Sequence, residues 1–226
     1  MVRLKVFGIN KKFEMRIGYI LNPGALISGK SNGIRSQAIS WCDILRERGH
    51  DVILINSWND YKLNEFNLIH FFGSGPWVND LAIQIKKRNS NLIFSPVCDE
   101  VGGIYKSKMK SFIGSELLQI WSKPYLRKKA LRLFKAIFIR TDFEGTYMNK
   151  SYGVRNNTLF KVPLSYSCQN LELIDFEKEN FCLHVSSITH KRKNVRRLVE
   201  AAIKYEFNLV LAGSTGTTSG FESLKK

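Results

Sequence analysis

Met15-Arg16-Ile17-Gly18-Tyr19-Ile20-Leu21 is a short apolar run that ends in a polar, glycine-rich stretch, Asn22 to Gly33. An apolar run of this length, bounded by turn residues, reads as a buried strand. Ile34 to Arg48 follows with apolar residues at helical spacing: Ile34, Ala38, Trp41, Ile44 and Leu45. Gly49 stops that helix, and Asp51 to Asn56 (DVILIN) is strand-like again. Strand, helix and strand in succession predict two parallel strands joined by a right-handed crossover.

The alternation continues. Asn67 to Phe72 is a predicted strand closed by Gly73-Ser74-Gly75-Pro76, and Trp77 to Arg88 is a predicted helix. Asn91 to Ser95 is a strand, after which the pattern loosens from Pro96 to Lys123. A basic helix is expected over Tyr125 to Phe134, a strand over Ala136 to Arg140, a helix over Asp142 to Tyr152 and an edge strand over Leu159 to Pro163. Ser165 to Asn180 has no periodicity and reads as a linker. The pattern then restarts with Phe181 to Ser187 as a strand, Asn194 to Tyr205 as a helix and Asn208 to Ala212 as a strand. The expectation is a Rossmann-like parallel-sheet domain over 15–164, a linker over 165–180 and the incomplete start of a second domain over 181–226. Two strands and one helix are too few to close a second doubly wound sheet.

Bulk properties narrow the class. Of 226 residues, 44% are hydrophobic and 24% charged, which suits a globular chain with a real core. No apolar run approaches the roughly 18–20 residues that span a bilayer, and Met1 to Glu14 lacks the apolar centre of a secretory signal. Cys42, Cys98, Cys168 and Cys182 are scattered with no CxxC pair, so no zinc site is expected and free thiols fit a reducing cytosol. The net charge of +16 favours an anionic partner. Between Val101 and Arg140, ten Lys/Arg face the single acid Glu116, a local balance of +9. No nucleic-acid-binding motif accompanies this charge. The basic helix carries an apolar stripe (Leu126, Ala130, Leu133, Phe134) beside Arg127, Lys128, Lys129 and Arg132. That pattern suits either an anionic membrane surface or a core-packed helix with a solvated basic side.

In open α/β sheets ligands bind at the carboxyl ends of the strands, and four loops there hold chemistry. Ser31-Asn32-Gly33 precedes a helix N-terminus, which favours an anion or a hydroxyl. His70 lies in the strand before Gly73-Ser74-Gly75, either as a catalytic group or as a packed, hydrogen-bonded residue. Asp99, in Cys98-Asp99-Glu100, is placed either for acid–base work or for holding a sugar hydroxyl, unless it is simply solvated. His190-Lys191-Arg192-Lys193-Asn194 puts cations before a helix N-terminus, where the macrodipole opposes them. A diphosphate between cations and helix end would resolve that conflict, as would plain solvation.

The ordered motifs resemble the family-four glycosyltransferases of the GT-B fold, which are retaining and metal-independent. Met15 to Ile20, Ser31-Asn32-Gly33-Ile34, Arg48-Gly49-His50-Asp51-Val52, Asn67-Leu68-Ile69-His70, Lys161-Val162-Pro163-Leu164, Leu183-His184-Val185-Ser186-Ser187 with Lys193-Asn194-Val195, and Leu209 to Gly213 carry the likeness. The resemblance implies a GT-B type chain that transfers a hexose from a nucleoside-diphosphate sugar to a lipid-linked or polysaccharide acceptor in surface glycan assembly. Enzymatic activity would require the family's remaining C-terminal region. The resemblance implies no cofactor and no metal, and a cytoplasmic location, peripheral on the inner face of the cell membrane. Lys193, with Arg192, would bind the donor diphosphate. Ser31, Asn32 and Gly33 would form the acceptor-side loop, and Asp99 and His70 would be catalytic. Arg127, Lys128, Lys129 and Arg132 would face the membrane. Three positions depart from the family: Ser186-Ser187 replaces a Gly-Arg pair, Cys98-Asp99 a His-Asp, and Asn32-Gly33 a glycine pair. The family's glutamate-containing donor motif lies beyond Lys226, so weak donor binding is expected of these 226 residues. The alternative is a non-catalytic basic α/β module that docks on a membrane or a partner subunit.

Overall fold

The structure, a computed structural model, describes residues 14–27, 32–56, 58–98, 103–115, 117–164, 179–188 and 193–215. The chain divides into two compact units, Met1–Cys168 and Gln169–Lys226. Residues 165–178 of the expected linker lie outside the described residues.

The first unit opens with β1 (Arg16–Leu21), a one-turn helix α1 (Pro23–Ile27), α2 (Gly33–Glu47) and β2 (Asp51–Leu54). It continues with β3 (Leu68–Phe72), α3 (Trp77–Lys86), β4 (Leu92–Ser95), α4 (Ile104–Lys110) and the two-residue strands β5 (Gly114–Ser115) and β6 (Ile120–Trp121). It closes with α5 (Lys123–Leu131), β7 (Ala136–Ile139), α6 (Asp142–Tyr152) and β8 (Leu159–Lys161). Among the elements that escape the sequence pattern are α1, α4 and the β5–β6 hairpin. α1 is a single turn inside a glycine-rich loop, α4 has too few apolar residues to show a period, and β5–β6 is an antiparallel hairpin of two pairs.

Six strands form one sheet in the order β2-β1-β3-β4-β7-β8, and every ladder in it is parallel. The topology is Rossmann-like. The chain steps one way from β1 to β2 and the other way from β3 through β4 and β7 to β8. Right-handed crossovers therefore put α2 on one face and α3, α5 and α6 on the other. Strand alternation separates the two cores. Ile17, Tyr19, Leu21 and Phe72 pack under Ala38 and Cys42 of α2. Ile69, Phe71, Leu92, Phe94, Ile137 and Ile139 pack against the opposite helices through Val78, Ala82, Ala130, Leu131 and Met148. Ala130 and Phe134 are buried in this core and Leu133 packs against it, so this part of the apolar stripe of the basic helix faces the core.

α2 is fixed at both ends by local chemistry. Asn32 Oδ1 accepts the backbone N–H of Ile34 at 2.9 Å and that of Arg35 at 3.4 Å. At the other end Gly49 takes φ +85°, the left-handed region that glycine enters without strain.

The second unit contains β9 (Cys182–Val185), α7 (Val195–Lys204) and β10 (Leu209–Ala212), with β9 and β10 parallel. Gly213 follows β10 at φ +141°. A Cβ built there would collide with the Ser186 carbonyl oxygen. The ends of β9 and β10 are thus drawn together, with Ser186 N–H donating to Ala212 O at 3.0 Å and Ile188 N–H to Ser214 O at 2.9 Å.

Candidate functional site

The strand order reverses between β1 and β3, and in doubly wound sheets a crevice opens at that point beyond the strand ends. Here it is bordered by Asn22, by Gly73 and by the N-terminus of α2. The Asn22 N–H donates to the Phe72 carbonyl at 3.1 Å, and the Gly73 N–H to the Ser95 carbonyl at 2.8 Å. Gly73 has φ +82°, and a Cβ there would stand 3.1 Å from Ile34 Cδ1 and 3.3 Å from Asn22 Cβ. The close fit brings Asn32 and Gly33 to the rim of the crevice. A Cβ at Gly33 would meet nothing within 4 Å, so the space before the helix N-terminus is open. Asn32 is already engaged as the cap of α2, while Ser31 lies outside the described residues.

A second group sits beside it, at the carboxyl ends of β4 and β7, and the sequence reading missed it. Glu144, 3% exposed, accepts from the Cys98 N–H at 2.7 Å and from the Arg140 N–H at 2.8 Å. The Arg140 guanidinium pairs with the same carboxylate at 3.2 Å and donates to the Cys98 carbonyl at 3.2 Å. Thr141 caps α6 by accepting the Glu144 N–H at 3.1 Å. The signal was present as Thr141-Asp142-Phe143-Glu144, a capping box. Tertiary structure redirects its glutamate from the cap N–H to the neighbouring loop. That loop contains Val97 at φ +48°, a strained conformation for a β-branched residue. The clamp thus holds a strained turn immediately before Asp99, which itself lies outside the described residues.

His70 belongs to a different environment. It is the third residue of β3, not its end, and is 3% exposed on the α2 face. Its Nε2 is 2.8 Å from Ser95 Oγ. The ring stacks on Phe72 at 4.0 Å and is surrounded by Tyr19, Trp41 and Phe138. Burial lowers its pKa to about 3, so the imidazole is neutral at pH 7. It borders an apolar cavity of about 460 Å³ between α2 and the β4–β7 half of the sheet, with Trp41, Ile44, Ile93 and Phe138. Among the described residues of the first unit, α2 is the helix that packs on this face, and the cavity lies beside it.

The basic side chains are not equivalent. Arg127 is half-buried, donates to Tyr152 Oη at 3.0 Å and lies over that ring. Lys128 is half-buried with its Nζ 3.6 Å from the Phe112 ring centre. Lys129 is half-buried and Arg132 is exposed. In the second unit Lys193 is exposed, and Asn194 takes φ +53° just before α7. Arg192 lies outside the described residues.

Among the described residues no group of three or more His, Cys, Asp or Glu side chains could hold a metal ion, and no helix is long and apolar enough to cross a membrane. No protein-family model matches the chain, and no curated protein matches it.

Proposed function

We propose that the chain is of the GT-B type, retaining glycosyltransferase kind, with its first unit on the acceptor side and its second unit on the donor side. It would move a sugar from a nucleoside-diphosphate sugar to a lipid-linked or polysaccharide acceptor. A Rossmann-like sheet hosts many activities. The reading rests on the β1/β3 crevice, where glycine backbone and the open N-terminus of α2 meet beside the Glu144 clamp. The ordered resemblance of the motifs and the cationic residue before α7 support it. In this reading Asn32-Gly33 approach the reacting sugar, Asp99 holds a hydroxyl or a proton, and Lys193 neutralises the donor diphosphate. Positioning and charge stabilisation carry front-face transfer. His70, enclosed and neutral, shapes the sheet face and takes no proton-transfer role.

The test uses the protein expressed from its complete reading frame with a panel of nucleoside-diphosphate sugars. Donor hydrolysis or transfer is expected, and Lys193→Ala should lower it by about 10²-fold, the loss typical of removing one charge-stabilising donor. No turnover with any donor, or an undiminished Lys193→Ala variant, overturns the reading.

A second reading, a non-catalytic module that docks on an anionic membrane, draws on one observation. Phe112, Ile113, Leu117, Leu118 and Ile120 are all exposed around the β5–β6 hairpin, Leu117 at 93%. Lys106, Lys108, Lys110 and Lys123 flank them and are exposed too. Apolar side chains with cations alongside suit an anionic bilayer interface. Salt-sensitive co-sedimentation with phosphatidylglycerol vesicles, lost on Leu117→Glu/Leu118→Glu, would favour it. Unchanged sedimentation of that variant counts against it.

A further inference from the structure

The edge of the sheet where the strands begin carries a separate feature. Phe134 lies just before β7 and Thr158 just before β8. Both line a cavity of about 420 Å³ together with Lys128, Arg132, Tyr152 and Arg155. A second cavity of about 420 Å³ shares Lys128, Arg132, Tyr152 and Gly153 with it and adds Lys108 and Lys150. Because the sheet is wholly parallel, this pair of cavities lies at the edge opposite the β1/β3 crevice and the Glu144 clamp.

Five cations from three helices and one loop therefore border two adjoining cavities that share Lys128 and Arg132. Lys108 comes from α4, Lys128 and Arg132 from α5 and its end, Lys150 from α6 and Arg155 from the loop before β8. Among the described residues no aspartate or glutamate lines either cavity. Among the described residues the ion pairs are formed elsewhere, and none involves these five side chains. Helix C-termini favour a cation each, which accounts for single lysines there. They do not account for the convergence of five without a counter-charge, because like charges in a partly desolvated cleft repel. The repulsion is felt. Partial burial first, and then Arg132 and Lys108, lower the pKa of Lys128. Lys128 is nonetheless held in place over the Phe112 ring. Tyr152 is positioned too, because its hydroxyl is fixed by Arg127.

We propose that this double cavity is a phosphate-binding site, distinct from the candidate site at the carboxyl ends of the strands. Its ligand is a phosphate or diphosphate group, held by Lys128 and Arg132 between the two cavities, with Lys108, Lys150 and Arg155 around it. Multiple charge-assisted donors on one anion match the number of oxygen acceptors that a phosphate offers. The site does not rest on the transferase reading, and it stands or falls with its own side chains.

The experiment titrates the full chain with sodium pyrophosphate at ~0.15 M ionic strength, and in parallel with phosphatidylglycerol vesicles. Saturable binding of one or both probes is expected. Pyrophosphate binding identifies a soluble phosphate, and binding of vesicles alone identifies a bilayer headgroup. Lys128→Gln/Arg132→Gln should weaken binding at least ~10-fold. Lys87→Gln/Arg88→Gln, which removes the same charge elsewhere, should leave it unchanged. If the first variant does not fold, Lys150→Gln/Arg155→Gln, at two exposed positions, gives the same comparison. A rise of the Lys128 pKa on saturation with pyrophosphate, followed by Nζ resonance, is the accompanying signature. Failure of both probes to bind, or equal weakening by the pocket and control variants, overturns the site. Loss of transferase activity on Lys193→Ala would leave this outcome untouched, so the two proposals fail separately.

Discussion

Glu144 accepts the backbone N–H of Cys98 at 2.7 Å, across 46 residues of sequence. This contact joins the carboxyl ends of β4 and β7, and the same carboxylate takes Arg140 by both its backbone and its guanidinium. A buried carboxylate with these partners in place is costly to disturb, because truncation takes one acceptor from the Arg140 guanidinium and the side-chain acceptor from two backbone N–H groups. Glu144→Ala is expected to destabilise the first unit by about 3 kcal/mol, and Glu144→Gln by less, because the amide oxygen still accepts one N–H. Urea unfolding midpoints of the two variants measure the difference. Equal midpoints for wild type and Glu144→Ala would sink the clamp.

His70 gives a pH dependence with a definite sign. Its folded pKa of about 3 lies below the unfolded value near 6.5, so folding favours the neutral ring. The unfolded chain takes up the proton first as pH falls. Stability from this group is full above about pH 6.5 and declines from there towards pH 3, by roughly 1.4 kcal/mol per pH unit. The melting temperature should therefore drop between pH 7 and pH 5. His70→Leu should flatten that slope while losing the Ser95 contact. An identical slope in the variant would assign the acid sensitivity to other groups.

Gly213 should tolerate no side chain. Its φ of +141° and the Ser186 carbonyl in the path of a Cβ both exclude alanine. Gly213→Ala is expected to part the ends of β9 and β10, at a cost of at least ~1–3 kcal/mol for the forced backbone alone. Amide hydrogen exchange reads this locally: protection at Ser186 and Ile188 should fall, with β1 to β8 unaffected.

Asn32 caps α2 at the rim of the crevice, and substitution separates the cap from the proposed acceptor contact. Asn32→Ala removes the α2 cap and should cost about 1 kcal/mol, whereas Asn32→Ser keeps a capping oxygen and most of the stability. If Asn32 also meets the acceptor, Asn32→Ser restores stability without restoring the KM for acceptor. Full recovery of both would leave Asn32 as a cap alone.

Local periodicity made the sheet legible in advance. MRIGYIL, DVILIN, NLIHFF and NLIFS each announce a strand because apolar β-rich runs between turn residues have few other uses. Ile34 to Arg48 announces α2 because its apolar face must meet that sheet. The β5–β6 hairpin and α4 were illegible for the converse reason: their large side chains point outwards, so no buried face imprints a period. Glu144 and Arg140 were missed because their partners are loop atoms of Cys98, distant in sequence. The capping box told where Glu144 starts a helix, not where its carboxylate turns.

By itself the sequence determined the alternation of strands and helices, the parallel sheet, the edge position of β8 and the concentration of positive charge after Val101. All of these follow from short-range patterning and composition. Only the tertiary structure decided that His70 is enclosed and neutral, because its environment is built by Tyr19, Trp41, Ser95 and Phe138 from four other elements. It alone gathered Lys108, Lys128, Arg132, Lys150 and Arg155 around two adjoining cavities that share Lys128 and Arg132. Charges scattered over 48 positions acquire a common neighbour only when α4, α5 and α6 pack side by side on the sheet.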